Sequence, residues 1–331
     1  SEAVYEAGLR SSPWQQSDHT ETRVNGERRH CQVVCNPVYT SYHTRPKVDR
    51  LTALDVLRQG RKRIFLLNEE AFGYLENVAL SKAAQAVLPK WQSDKVWEEA
   101  AFMKRLEKAL PNLNTQQHTA ILGAAAVAAY HAEKDVPIVD TLVCDDASVF
   151  HWLTRAMMLC WVHDGRAYKK LEPVIALHRQ QLEDFRKRYW DYYDQLLAYR
   201  DKPTGKERKQ LESQFDSLFA TETGYHDLDQ RIAKTRTKKI SLLQVLQHPE
   251  LPLHNNASEL AVRQRVRKRD VSFGPRTQLG LQAWDTFMTL ADTARKLGIS
   301  FYAYIRDRVS GTNQIPPISI LVTKRARELN L

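Results

Sequence analysis

The chain has 331 residues, a formal net charge of +10, 43% hydrophobic and 9% aromatic residues, a composition that supports real cores and excludes a disordered tail. No apolar run approaches the roughly 18 residues that a spanning helix needs. The basic balance favours an anionic partner, nucleic acid ahead of membrane or acidic protein.

The opening Ser1-Glu2-Ala3-Val4 lacks an initiator methionine and both regions of a secretory signal, so the sequence reads as the interior of a longer or processed chain. Residues 14 to 44 read as an antiparallel meander. Trp14, Gln16, Asp18, Thr20, Thr22 and Val24 share one strand face at period two, and Asn25-Gly26 is a strong hairpin signal. Cys31 to Cys35 forms the return strand, Asn36-Pro37 turns, and Val38 to Tyr42 gives a third strand. From Asp49 the spacing becomes helical and stops at Gly60.

Residues 66 to 134 read as helical throughout, with Pro89 and Pro111 as punctuation. A buried strand is expected over 138 to 144, then a short helix, then a fifth strand over 157 to 162. After Pro173, Leu182, Phe185, Tyr189, Tyr192, Leu196 and Tyr199 step by three and four, a helix-packing seam. Asp201 to Glu207 interrupts it, and Leu211, Phe215 and Leu218 resume it, which predicts an antiparallel helical hairpin. Packing within the chain is favoured over a separate dimerisation arm. Closing helices are expected from 281 to 309, with Trp284, Phe287 and Ala291 on one face and Ser300 as an N-cap.

The strand and helix order is that of an α/β, RNase H-like fold: a mixed five-stranded sheet flanked by helices and carrying large all-helical insertions. Residues 1–60 form its first part, 61–135 an insertion, 136–172 its second part, 173–250 the hairpin insertion, and 251–331 its closing helices. Cys31, Cys35, Cys144 and Cys160 fall in apolar runs and read as buried thiols, in keeping with a reducing cytoplasm. A zinc set of Cys31, Cys35, Cys160 and His163 is the rival, though no pair has the CxxC spacing.

Three separated acids carry the chemical signal. Asp18 sits in the first strand, Asp145 ends the fourth, and Glu259 lies where a turn passes into a basic helix. Carboxylates so disposed suit two magnesium ions held about 3.5–4 Å apart for in-line attack on phosphodiesters. Asp145 is preferred to its neighbour Asp146 because it continues the strand, and adjacent strand residues face opposite ways. Glu259, Arg263 and Arg267 fall at i, i+4 and i+8, while Val262 and Val266 lie beside them to hold the helix down. A plain surface ion pair between Glu259 and Arg263 is the competing reading. Arg263, Arg265, Arg267, Lys268, Arg269 and Arg276 are expected to contact the DNA backbone. Asn255, Asn256, His163 and Arg166 are supporting residues, although His163 reads equally well as a packed structural histidine. No phosphate-binding glycine loop, HExxH or Gly-x-Ser-x-Gly occurs.

Several segments carry a resemblance. Cys160-Trp-Val-His-Asp-Gly-Arg166 resembles the Cys-Trp-x-His-x-x-Arg segment of bacterial insertion-sequence transposases of the sixty-six type. His254-Asn-Asn-Ala-Ser-Glu-Leu-Ala-Val-Arg263 is similar to their Asp-Asn-Asn-x-x-Glu-x-x-x-Arg signature, and Phe301-Tyr-Ala-Tyr-Ile-Arg306 to their closing Pro-Tyr-x-Tyr-Leu. His254 replaces the usual Asp, Leu260 stands where Arg is frequent, and the fourth-strand acid is doubled. The resemblance implies a DDE-type transposase with Asp18, Asp145 and Glu259 as the metal-binding triad. It implies two Mg2+ ions, replaceable by Mn2+, cleavage at transposon ends, and 3′-OH strand transfer into target DNA. Expected partners are transposon-end and target DNA, further copies of the chain and accessory proteins, in a cytoplasmic, nucleoid-associated setting. A domesticated DNA-binding or regulatory protein, or an RNase H-like nuclease without strand transfer, are the alternatives.

Overall fold

Asn25 and Gly26 both take positive φ, 49° and 80°, the combination a tight hairpin turn needs. The turn joins β1 (Trp14–Val24) to β2 (Glu27–Asn36), and β2 continues antiparallel into β3 (Tyr39–Arg45). Ahead of them lies α1 (Glu2–Arg10), and behind them α2 (Arg50–Leu57), whose first turn is capped by Asp49 accepting from the Thr52 N–H at 2.8 Å. The computed structural model describes all 331 residues, which divide into two units. The first comprises Ser1–Asp140, Ala147–Arg155 and Ala257–Leu331; the second comprises Thr141–Asp146 and Ala156–Asn256.

The 61–135 segment of the first unit is not wholly helical. A two-stranded ribbon, β4 (Ile64–Phe65) with β5 (Trp97–Glu98), accompanies α3 (Glu69–Leu75), α4 (Lys82–Val87), α5 (Glu99–Ala109) and α6 (Thr115–Ala132). Stacking of Phe65 on Phe102, with centroids 4.8 Å apart, explains the ribbon: the two-residue strand buries an aromatic beneath a helix. Residues 147–155 form turns and bends where a short helix was expected.

In the second unit β6 (Thr141–Cys144) pairs in parallel with β7 (Ala156–Leu159), register Thr141 to Ala156 through Cys144 to Leu159. The expected fifth strand ends early, because Trp161 opens α7 (Trp161–Lys169). Its ring is fully buried, donates from Nε1 to the Leu242 carbonyl at 2.9 Å, and packs among Tyr189, Tyr192, Phe215 and Phe219. The apolar run that looked like one strand thus serves a strand and then a helix core. Next come α8 (Ala176–Asp201), α9 (Gly205–Leu218), α10 (His226–Arg236) and α11 (Lys239–Leu242). All six seam residues of α8 and the three of α9 are buried, and Tyr192 donates to the Leu211 carbonyl at 2.8 Å. The hairpin packs inside its own unit, around Trp161.

The chain returns to the first unit through α12 (Asn256–Ser272), α13 (Gln278–Lys296), α14 (Phe301–Val309) and α15 (Ile318–Glu328). Trp284, Phe287 and Ala291 share one face of α13, as read, but that face is not its most buried one, and Phe287 stays 48% exposed. The buried side of the helix carries Asp285, Thr289 and Thr293 instead, which accept the backbone N–H groups of Thr44, Tyr42 and Thr40 at 2.8, 3.1 and 3.2 Å. A sheet edge left unpaired would cost free energy, so a polar stripe at helical spacing outweighs the apolar one here. Antiparallel strands in one unit, parallel strands in the other, and abundant helices make the chain mixed α/β. No helix is long and apolar enough to cross a membrane.

Candidate active site

Asp18 lies midway along β1, opposite Val33 of β2, and is half-buried; one carboxylate oxygen accepts from the His19 N–H at 2.7 Å. Two residues earlier on the same strand face, buried Gln16 turns its Oε1 to the head of α12. It accepts from the N–H groups of Ala257 at 3.2 Å and Ser258 at 3.4 Å. The first N–H groups of a helix have no partner within it, so a side chain from another element can anchor the helix end. Gln16 therefore fixes the turn that carries half-buried Glu259 against the strand that carries Asp18. An acid in a first helical turn is also favoured by the helix dipole.

Further along α12, Ser258, Ala261 and Arg265 are the buried stripe. Ala261 packs with Cys31, Val33, Tyr42 and Met288, joined by Val262, and the Tyr42 hydroxyl donates to the Ala261 carbonyl at 3.1 Å. Burial, reinforced by its contact with Asp292, pushes the Tyr42 phenol well up, so it remains a donor. The Arg269 guanidinium reaches the Glu21 carbonyl at 2.8 Å and so ties the far end of the helix to β1. Arg263 and Arg267 face solvent, as the i, i+4, i+8 spacing predicts.

Arg265 corrects the reading of the basic run. Its side chain is completely buried, 3.0 Å from Asp285, donating to Thr44 Oγ1 at 2.9 Å and lying over the Trp284 ring. Burial pushes the Asp285 carboxyl up against the pull of Arg265 and Thr44. A guanidinium in that position holds α12, α13 and β3 together and is out of reach of DNA. Lys268 lies over the same ring at 4.6 Å, with its ammonium drawn down first by burial and then by Arg265.

The second unit holds the remaining candidates. Asp145 follows β6 directly and is half-buried, whereas Asp146 is exposed and ion-paired to Lys238 Nζ at 2.7 Å. Lys238 also lies 3.4 Å from buried Asp164, which is held by Arg231 and by Thr235 at 2.8 Å. His163 and Arg166 lie on α7, 3.3 Å apart, and Asn255 is completely buried. None of the four cysteines is in a disulfide, and all are buried. Burial pushes the Cys31 thiol up to about 12.

The sequence profile described as the Transposase IS66 family matches residues 103–283. The chain belongs to the IS66 transposase family. An uncharacterized protein of Sinorhizobium fredii, y4jO, is 31% identical over 321 residues, covering 97% of this chain and 99% of that one. No solved structure matches. Asp145, Asp146 and Glu259 lie within the family span, and Asp18 precedes it. Two residues that hold these candidates were missed from the sequence. Gln16 had a signal, standing two positions from Asp18 on one strand face; Lys238 had none, because its partner Asp146 is remote in the chain.

Proposed function

We propose that this IS66-family chain is the catalytic region of a DNA transposase on an RNase H-like core, cleaving element ends and joining the 3′-OH to target DNA. The observation that carries the reading is the anchoring of the Glu259 turn to the Asp18 strand through Gln16. Asp18, Asp145 and Glu259 offer hard carboxylate oxygens, the donor type that suits Mg2+ and Mn2+. When bound, two such ions would supply Lewis-acid activation of the attacking oxygen and stabilisation of the leaving one. The chain's own part is to hold the three carboxylates and to grip the backbone. Exposed Arg263, Arg267 and Arg276 are the phosphate contacts, setting register without reading sequence.

Asp145 rather than Asp146 is assigned to the metal, because it directly continues β6 and is half-buried, whereas Asp146 is exposed. Element-end DNA, further copies of the chain and target DNA are the partners of this reading, and the bacterial cytoplasm and nucleoid its setting. Incubating the protein with labelled element-end DNA, a supercoiled target plasmid and Mg2+ tests it. Joined products support it, cleavage without joining indicates a nuclease, and binding alone indicates a regulatory protein.

A further inference from the structure

Helix α12 ends on a residue ill suited to its conformation. Phe273 has φ 58° and donates its N–H to the Arg269 carbonyl at 2.8 Å, the left-handed helix closure normally given to glycine or asparagine. A side chain with a β-carbon is strained there. Burial gives no compensation, since Phe273 is 89% exposed. Strain on a bulky, solvated aromatic points to a use outside the fold.

The backbone around it is clamped. Gly274 has φ 85° and lies so close to the Arg23 carbonyl that a Cβ would come within 2.8 Å of it. Pro275 is buried, and its carbonyl accepts the Asn25 N–H at 3.1 Å. The loop is thereby fastened to the tip of the β1–β2 hairpin, and the ring is presented on a fixed base. Arg23, Arg267 and Arg276 are all exposed on the same two segments, and the acids on those segments, Glu21, Glu27 and Asp270, are each paired with another arginine.

We propose that Phe273 is a base-stacking residue that engages an unpaired or unstacked nucleotide while the flanking arginines grip the backbone. The inference rests on the DNA-acting reading above. Aromatic rings beside cationic groups are the general means of holding single-stranded nucleic acid, because every base has a π-face. Wedge-like apolar side chains serve similarly where a duplex is opened.

The test compares the full chain with Phe273→Gly and Phe273→Trp, using a mixed-sequence duplex and the same duplex with an unpaired bubble. The parent should prefer the bubble. Phe273→Gly should lose about ten-fold in bubble affinity, the scale of one lost base stack, with duplex affinity and salt slope unchanged. Its melting temperature should hold or rise, because glycine relieves the strain. Phe273→Trp should restore bubble affinity. A lower melting temperature with unchanged bubble affinity would overturn the proposal in favour of a structural role. So would loss of self-association in sedimentation with DNA binding intact, which would make the ring a subunit contact. A parent that binds neither probe would overturn the DNA reading itself, whereas equal binding by parent and Phe273→Gly would remove only the stacking role.

Discussion

Gln16 accepts the backbone N–H of Ser258 at 3.4 Å, and that of Ala257 at 3.2 Å, across more than two hundred residues of chain. Both Gln16 and Ser258 are buried, so water is a poor substitute for either partner. Gln16→Ala should lower stability by about 1–3 kcal/mol, the cost of leaving a buried donor without its acceptor. Gln16→Glu retains the acceptor and should recover most of it. Urea denaturation of the three proteins checks this, and equal midpoints would mean that the helix end is held by other contacts.

The basic helix divides into folding and binding residues. Arg265→Ala removes the fully buried partner of half-buried Asp285 and should cost about 3 kcal/mol. Arg263→Ala and Arg267→Ala should leave the melting temperature nearly unchanged. Each should flatten the log–log salt dependence of DNA binding by about 0.9. Calorimetry and binding across a salt series separate the two groups.

At the end of β6 the acids should also part company. Asp146→Asn weakens a pair in which Asp146 is 39% exposed and Lys238 keeps its contact with Asp164, and should cost about 1 kcal/mol, with cleavage retained. Asp145→Asn should reduce cleavage by about two orders of magnitude or more, the scale of losing one preorganised electrostatic contact. Cleavage assays at equal protein and Mg2+ decide it, and the reverse pattern would move the metal role to Asp146.

Acid sensitivity should centre on His43. Burial first, then Arg45, holds its imidazole down at about 3, and its Nε2 lies 2.9 Å from Ser41 Oγ. A depressed histidine contributes stability that is complete above its ordinary value of about 6.5 and is lost as pH falls toward the folded value. Stability should therefore decline from about pH 6.5 down to about pH 3, by at most a few kcal/mol because the side chain is only half-buried. His43→Gln should flatten that stretch of the profile in denaturation series at each pH.

Local signals in the sequence carried much of this structure. The Asn25-Gly26 turn and the Leu182 to Tyr199 seam are short-range patterns, and both appear as read. Long-range polar contacts were not legible. The Asp285, Thr289 and Thr293 stripe is buried because it satisfies an edge strand, which no periodicity of apolar residues reveals. Arg265 looked like its neighbours in a charge run, and only its partner on α13 distinguishes it. Trp161 misled for the same reason: its neighbours in sequence suit a strand, while its neighbours in space belong to the helical hairpin.

In the proposed function Asp18, Asp145 and Glu259 hold the metal for strand cleavage. The most direct measurement is Mg2+-dependent cleavage of labelled element-end DNA by the parent and by Asp18→Asn, Asp145→Asn and Glu259→Gln. DNA affinity and circular dichroism are recorded alongside. The expected result is loss of cleavage in all three, with the fold and most DNA affinity kept, since amides cannot replace the carboxylate charge. Cleavage at the parental rate by any one of these folded variants would contradict the assignment of that residue.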